Sequence, residues 1–189
     1  MKYNLEWVYP TPVYSCMVND YNNIQKEIES IIKKTEWVST DIINWGLTHY
    51  LSENAFSKNI IGENFGKELG NHLNEYIRSF YHDKFEAKVS ASWLSLFKKG
   101  NYGQVHNHSP STIAGVYYYQ SNEKDGRLFF RTSNPYYQSN NIFKNLKEDL
   151  LIEPKQGLLV LFPGWLNHGI QTNETDDDRI SLSFNIEVN

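Results

Sequence analysis

The chain has 189 residues, of which 40% are hydrophobic and 15% aromatic, and its formal net charge is −4 at pH 7. This length suits one domain with a sizeable core, and the composition is that of a packed globular protein, not a disordered one. The net negative charge and the lack of a Lys/Arg-rich block give no electrostatic footprint for nucleic acid or for an anionic membrane. The single cysteine, Cys16, excludes an internal disulfide and a cysteine-based zinc site.

No apolar run approaches the length of a membrane span, and the N-terminal residues lack the apolar core of a signal peptide. We therefore expect a soluble, cytoplasmic protein. Its aromatic content is compatible with a homodimer, although no motif specifies one.

The first residues are expected to be extended, because Pro10 and Pro12 disfavour a helix. A helix over about 21–34 is predicted next, with Asp20 as its N-cap, because four isoleucines recur at helical spacing. These are Ile24, Ile28, Ile31 and Ile32.

A second helical pattern runs from about residue 54 to residue 82, where apolar residues step by three to five. Gly62 is expected to break it. His72 and His82 lie on this helix or at its end, and both are expected to be solvated.

From residue 87 onwards the pattern changes to short apolar runs separated by turn residues. Strands are predicted at 87–97, around 104–108, at 113–119, 127–130, 150–153, 158–162 and 180–188. Asp125-Gly126 is expected to form a hairpin turn between two of them. Helices followed by about seven strands predict an α+β fold, a β-sandwich or barrel with the helices packed on one outer face. We expect a single domain, with an extended segment and supporting helices in 1–86 and the β core in 87–189.

The last strand separates two kinds of side chain. The apolar ones, on one face, are Ile180, Leu182, Phe184, Ile186 and Val188, and the polar ones, on the other, are Arg179, Ser181, Ser183, Asn185 and Glu187. If the apolar face packs under the helices, the polar face lines an interior pocket that suits an anion. The alternative is an edge strand whose polar face lies in water.

Three histidines form a candidate metal site. In an extended strand His106 and His108 point to the same side, and His168 follows a later strand, so the three rings can grip a divalent metal from one side. Imidazole suits iron, zinc, copper and nickel, so the spacing alone names no metal. The alternative is that they are loop histidines near a turn.

Four motifs occur in a characteristic order: H-N-H at 106–108, A-G-V-Y-Y at 114–118, L-F-P-G-W-L-N-H at 161–168 and R-I-S-L-S-F-N at 179–185. In this order they resemble the iron(II)- and 2-oxoglutarate-dependent dioxygenases, over roughly residues 87–188. The resemblance implies a mainly β fold, the double-stranded β-helix (a cupin-like jelly roll), with the N-terminal helices on one sheet.

The resemblance also implies the roles of the histidines. His106 and His168 take the two histidine positions of the family's metal site, and His108 falls where most members carry Asp or Glu. A site of three neutral imidazoles is more positive than the family's site of two histidines and one carboxylate, and it is somewhat more similar to a zinc site.

For the cosubstrate, the resemblance implies that Arg179 holds the distal carboxylate of 2-oxoglutarate as a bidentate pair. Ser181 lies two residues on and can add a hydroxyl bond. Tyr117 or Tyr119, which share a face of the neighbouring strand, can donate a third bond, whereas Tyr118 points to the other face.

The activity implied is a hydroxylation that uses Fe(II), 2-oxoglutarate and O2, on an unknown small molecule or protein side chain. The segments 38–52, with Trp45, and 131–149 are candidates for the substrate rim. Two alternatives stay open. One is a non-catalytic cupin-like module that binds a metal or ligand, and the other is a different metalloenzyme in which Arg179 grips the substrate's own carboxylate.

Overall fold

The computed structural model describes residues 10–53, 55–132 and 150–189. Within these ranges the chain forms helices α1 (Tyr21–Ile32) and α2 (Glu63–Arg78) and a short 3₁₀ helix (Thr40–Ile43). The strands are β1 (Tyr14–Met17), β2 (Trp37–Ser39), β3 (Tyr50–Ser52), β4 (Ala87–Phe97), β5 (Gly103–His106), β6 (Ile113–Gln120), β7 (Leu128–Phe130), β8 (Leu150–Ile152), β9 (Leu158–Pro163), β10 (His168–Ile170) and β11 (Arg179–Val188).

The strands form two antiparallel sheets. The large sheet has the order β1-β9-β6-β11-β4-β3-β2, and the small sheet has the order β5-β10-β7-β8. One apolar cluster joins buried residues of β6 and β9 to those of β7, so the two sheets pack face to face. Together with the helices, they form the α+β jelly roll predicted from the sequence.

A second apolar cluster lies between the helices and the outer face of the large sheet. Ile24 and Ile28 of α1 and Phe65 of α2 are buried there against Phe184 of β11. The rings of Phe65 and Phe184 are 5.8 Å apart in an edge-to-face arrangement. This packing confirms the helix-facing side of the last strand.

Strand β11 lies in the middle of the large sheet. It pairs with β4 on one side and with β6 on the other. The edge-strand alternative is therefore wrong, and the polar side chains of β11 face the small sheet. The first 86 residues also contribute strands β1, β2 and β3 to the large sheet.

The observed helix α2 is shorter than its apolar pattern. It begins at Glu63, directly after Gly62, and the apolar residues before it belong to a turn-rich segment. The carboxylate of Glu27 on α1 accepts hydrogen bonds from the backbone N–H groups of Asn64 and Phe65, at 2.9 and 3.0 Å. A side chain at Gly62 would collide with Glu27, so the start of α2 depends on a contact with another helix.

The prediction that His72 is solvated is wrong. His72 is buried, with Nδ1 2.8 Å from the Tyr14 hydroxyl and Nε2 3.1 Å from the Glu68 carboxylate. Tyr14 belongs to β1, which pairs with β9 at the edge of the large sheet. His72 of α2 therefore has a partner on a distant strand, and helical periodicity in the sequence cannot reveal such a partner.

The predicted hairpin at Asp125-Gly126 is also wrong, because the two strands around it lie in different sheets. β6 belongs to the large sheet, whereas β7 pairs with β10 and β8 in the small one. Gly126 has φ +97°, and a side chain there would meet the carbonyl oxygen of Gln171. The turn therefore carries the chain from one sheet to the other.

Within the described ranges, no helix combines the length and the apolar character that crossing a membrane requires.

The ring of Phe184 is fully buried between the helices and the sheet. We expect Phe184→Ala to lower the free energy of unfolding by about 3–5 kcal/mol, because it removes apolar contacts and leaves a cavity. Urea unfolding followed by circular dichroism measures this change. Phe80→Ala is the matched control, because Phe80 is 53% exposed, and it should cost less than about 1 kcal/mol. Equal losses in both variants would contradict this account of the core.

Candidate metal and cosubstrate site

Two of the three histidines face each other across neighbouring strands. In the antiparallel pairing of β10 with β5, His168 lies directly opposite His106. Directly opposed residues share a face of the sheet, and the two ring centroids are 4.4 Å apart. The register of the small sheet therefore brings together two residues that are 62 positions apart in the chain.

His108 reaches the same place from outside the strand. β5 ends at His106, so strand alternation is not what positions His108. Instead, the backbone N–H of His108 donates to the carbonyl oxygen of Gly164 at 2.7 Å. Nε2 of His108 lies 3.2 Å from Nε2 of His168, and one nitrogen from each of the three rings falls within 4.8 Å of the others. This arrangement can hold a metal ion.

Hydrogen bonds orient two of the rings. Nδ1 of His106 lies 2.7 Å from the Gln104 carbonyl, and Nδ1 of His168 lies 2.9 Å from the Leu166 carbonyl. A carbonyl can only accept, so Nδ1 carries the proton and the lone pair is on Nε2. Burial lowers the pKa of all three histidines, that of His108 to about 3. The lone pairs are thus free to bind a metal at neutral pH.

No carboxylate joins this cluster among the described residues. Asp125, the buried acid of the neighbouring turn, accepts hydrogen bonds from the Ser121 hydroxyl and from the backbone N–H of Asn122. Its carboxylate therefore stabilises the turn. The three described ligand candidates are all neutral imidazoles.

Arg179 lies at the other end of the site and is completely buried. Its Nη1 donates to the carbonyl oxygen of Gly126 at 2.9 Å. Its Nε and Nη2 have no hydrogen-bond partner in the described part of the chain. Burying a charge with unpaired donors is costly, so this guanidinium is suited to an anion that binds from the cavity.

Aromatic rings and polar groups surround the guanidinium. Its carbon lies 4.1 Å from the centre of the Phe97 ring and 5.9 Å from that of Tyr118. Ser181 is buried two residues along the same face of β11. Burial raises the pKa of Tyr118 to about 12, although Arg179 opposes part of that rise. The hydroxyl therefore stays protonated and can donate a hydrogen bond.

The prediction that Tyr117 or Tyr119 contacts the cosubstrate is corrected by the structure. Tyr117 is buried under the helices, with its ring 5.1 Å from that of Phe65 and its hydroxyl 3.4 Å from Gln25. Tyr119 packs against the same cluster. The residue of β6 that faces the cavity is Tyr118, because it lies opposite Ser181 in the β6–β11 pairing.

The histidines and the surroundings of Arg179 border one cavity of about 310 Å³ between the two sheets. Trp45 borders it too, as expected for the 38–52 segment, and its ring lies 4.9 Å from that of His106. Of the second expected rim segment, 131–149, residues 133–149 lie outside the described residues.

His49 was not predicted as a site residue. It is buried, borders the cavity, and stacks on Phe97 with centroids 4.5 Å apart. Its Nδ1 lies 3.0 Å from the Thr48 hydroxyl. The residue stands in an irregular part of the sequence without periodicity, so no local signal could have found it.

The comparisons with known proteins agree with this geometry. The model of a family described as "Putative 2OG-Fe(II) oxygenase" matches residues 91–185, which is half of the chain. The chain belongs to the 2OG-Fe(II) oxygenases. Fe(II) and 2-oxoglutarate, the cofactors that define the family, are therefore the cofactors of this oxygenase. No curated protein matches its sequence.

Solved structures show the same fold. An oxidoreductase of the 2OG-Fe(II) oxygenase family from Burkholderia pseudomallei is 9% identical, with a TM-score of 0.62 over 92% of this chain and 84% of that one. A prolyl-4-hydroxylase from Pseudomonas putida is 12% identical, with a TM-score of 0.58 over 94% and 92%. The alpha ketoglutarate dependent carbocyclase SnoK from nogalamycin biosynthesis is 8% identical, with a TM-score of 0.66 over 93% and 79%. At these identities the similarity is one of fold.

The histidine cluster predicts the metal affinity of single variants. We expect His168→Ala to weaken Fe(II) binding by at least about 100-fold, the upper end of the range for residues that only support a metal ligand. Anaerobic titration of the metal-free protein measures it. His82→Ala, at an exposed position, is the control and should bind Fe(II) like the wild type. Unchanged affinity in His168→Ala would exclude this histidine from the site.

His49 predicts a pH dependence of stability. Burial, with a smaller effect of Arg179, lowers its pKa from 6.5 to about 4. Below pH 6.5 the unfolded chain takes up a proton that folded His49 refuses, so stability falls as the pH drops towards 4. We expect His49→Gln to show a smaller fall over this range. The free energy of unfolding in urea is measured for both metal-free proteins at pH 7.5, 5.5 and 4.5. An equal fall with pH in the wild type and in His49→Gln would contradict this prediction.

Proposed function

We propose that this oxygenase is a hydroxylase whose Fe(II) is held by His106, His108 and His168. The distal carboxylate of 2-oxoglutarate is bound by Arg179 and Ser181. The proposal depends on one observation above all. The completely buried Arg179 guanidinium has two donors without a partner among the described residues, and it packs against Phe97 and Tyr118, which border the same cavity as the three convergent imidazoles.

The donor sets fit both cofactors. Three imidazole nitrogens, of which those of His106 and His168 are Nε2 atoms fixed by hydrogen bonds at Nδ1, suit a divalent transition metal. The unpaired Nε and Nη2 of Arg179 form the planar fork that matches a carboxylate in a bidentate pair. Both orphan donors would then be satisfied.

Bound Fe(II) would supply the oxidising chemistry: 2-oxoglutarate would lose CO2 and take up one oxygen atom of O2 to become succinate, and the other oxygen atom would enter a C–H bond of the substrate. The residues of the chain hold and orient the reactants. Arg179 anchors one end of the cosubstrate, and the protonated hydroxyls of Ser181 and Tyr118 add donors beside it. Phe97 and Tyr118, which pack against the guanidinium, exclude water from the pair and strengthen it.

The anchoring role is tested by binding of the cosubstrate. We expect Arg179→Ala to weaken 2-oxoglutarate binding to the anaerobic Fe(II)-loaded protein by more than about 30-fold, because it removes a buried charged pair worth about 2–5 kcal/mol. Arg179→Lys should recover little, since an ammonium cannot form the bidentate pair. Calorimetric titration measures both. Arg78→Ala changes an exposed arginine at the end of α2 and should leave binding unchanged.

Turnover separates the enzyme from its alternatives. In air, the Fe(II)-loaded protein should form succinate from 2-oxoglutarate, and Arg179→Ala and His168→Ala should not. Binding without any succinate, even with candidate substrates, would favour a non-catalytic module. Failure of 2-oxoglutarate to bind would favour a metalloenzyme in which Arg179 holds the substrate's own carboxylate.

Hydroxylation itself is tested by the product. For a compound that stimulates succinate formation, we expect the product to gain the mass of one oxygen atom, derived from labelled O2. An unchanged mass would indicate an isomerisation, and the loss of two hydrogen atoms would indicate a ring closure or desaturation.

A further inference from the structure

The cavity continues past the histidines, away from Arg179. Ser183 lies opposite Trp93, and Asn185 lies one step further along the same face of β11. At about 3.3 Å per residue, Ser183 is roughly 13 Å and Asn185 roughly 20 Å along the strand from Arg179. The ring of Trp93 is 5.7 Å from that of His108. The histidine cluster thus lies near the level of Ser183, with Asn185 beyond it.

Because the histidine cluster lies between Arg179 and Asn185, the cavity has room for a second molecule beside the cosubstrate. A five-carbon diacid that reaches from Arg179 to the metal occupies only one end of the cavity. The other end of the cavity is bordered by Phe56, Trp93 and Asn185. We call the space between these three residues the substrate compartment.

Asn185 brings an unpaired polar atom to the compartment. Its Oδ1 is buried and has no hydrogen-bond partner among the residues that the structure describes. Its cross-strand neighbours are Ala91 on β4 and Ala114 on β6, whose short side chains leave space beside the amide. A buried carbonyl oxygen without a donor is unfavourable, and an N–H group of a ligand would satisfy it.

Aromatic rings form the other wall. The Phe56 ring lies 4.5 Å from that of Trp93, yet Phe56 remains 43% exposed. Its backbone has φ +69°, a left-handed conformation that is rare for a bulky residue. Strained residues of this kind concentrate at ligand sites. Phe56 is held over Trp93 as an accessible flat surface.

Among the described residues, those that line the cavity include no Asp, Glu, Lys or Arg; Arg179 lies behind Phe97 and Tyr118, at the end away from the compartment. A charged substrate group entering the compartment would lose its hydration without gaining an ion-pair partner. The group that enters is therefore neutral.

We propose that the substrate compartment binds an uncharged, planar group that carries an N–H donor, with the donor on Asn185 and the flat face against Phe56 and Trp93. This inference rests on the proposed function, because it places the reacting carbon beside the metal held by the three histidines. It narrows the group that enters the compartment to a neutral ring amide or nitrogen heterocycle and excludes a charged group at that position.

A set of test compounds that differ in one property at a time examines each part of the proposal. Benzamide is neutral and planar and has an N–H donor. Acetophenone lacks the donor, cyclohexanecarboxamide lacks the flat ring, and benzoate and benzylamine carry opposite charges. Binding of each to the full chain, loaded with Fe(II) and 2-oxoglutarate without oxygen, is measured by saturation-transfer NMR titration.

We expect benzamide to bind about threefold to tenfold more tightly than acetophenone, the range that one hydrogen bond contributes, and more tightly than the other three compounds. Asn185→Ala should remove the preference for benzamide over acetophenone. Phe56→Ala should remove the preference for benzamide over cyclohexanecarboxamide. Asn71→Ala, at an exposed position of α2, is the matched control and should change neither.

Asn185→Asp provides a second, nearly isosteric variant in case the alanine variant does not fold. It should reverse the charge selectivity in favour of benzylamine. The recognised group could belong to a free small molecule or to a protein side chain. Succinate formation is therefore compared between a free heterocycle, such as thymine, and a peptide that presents a tryptophan indole. Stimulation by only one of them identifies the source.

The failure of this inference and that of the proposed function are distinguishable, because 2-oxoglutarate binding is measured in the same samples. Suppose that 2-oxoglutarate binds in an Arg179-dependent manner, while benzamide does not bind or binds no better than benzoate or acetophenone. The proposed specificity of the compartment is then wrong, and the proposed function is unaffected. If 2-oxoglutarate does not bind, the proposed function fails first.

Discussion

The burial of the Arg179 guanidinium is the constraint to which the rest of the site is adapted. A charge completely removed from water needs compensation. Among the described residues, its Nη1 donates one hydrogen bond, to the Gly126 carbonyl, and its carbon lies over the rings of Phe97 and Tyr118. The turn that supplies the carbonyl is itself held by Asp125, whose buried carboxylate also favours the charged guanidinium. In the proposed site, Nε and Nη2, which have no partner in the described part of the chain, would bind the carboxylate of the cosubstrate.

The two sheets contribute different parts of the site. The small sheet carries His106 and His168 at opposed positions, so its hydrogen-bond register sets the geometry of the metal candidates. The large sheet carries Arg179, the proposed cosubstrate anchor, and the polar side chains beyond it on the inner face of β11. Its outer face is sealed by α1 and α2. The helices thus support the site through the sheet without entering it.

In the proposed metal site, His108 takes the position at which most family members carry Asp or Glu, and this would have an electrostatic consequence. Three neutral imidazoles leave the charge of a divalent metal uncompensated by the protein, and the described lining of the cavity has no carboxylate either. In the proposed site, bound 2-oxoglutarate, which is an anion, would supply negative charge beside the metal.

The sequence alone determined the α+β class, α1, most of the strands, and the alternation of β11, because local periodicity and turn residues carry that information. It also marked the three histidines and Arg179 through the order of the motifs. The start of α2 and the environment of His72 depend on contacts with distant residues, Glu27 and Tyr14, and were missed.

Only the tertiary structure decided which tyrosine of β6 faces the cavity. Both faces of this strand are apolar and buried, so alternation says that Tyr117 and Tyr118 point apart but not which one points inward. The pairing of Tyr118 with Ser181 decides it. The same holds for the surroundings of His49, Phe56 and the Asn185 amide oxygen, which has no partner in the described part of the chain, because these surroundings are made by side chains from distant parts of the sequence.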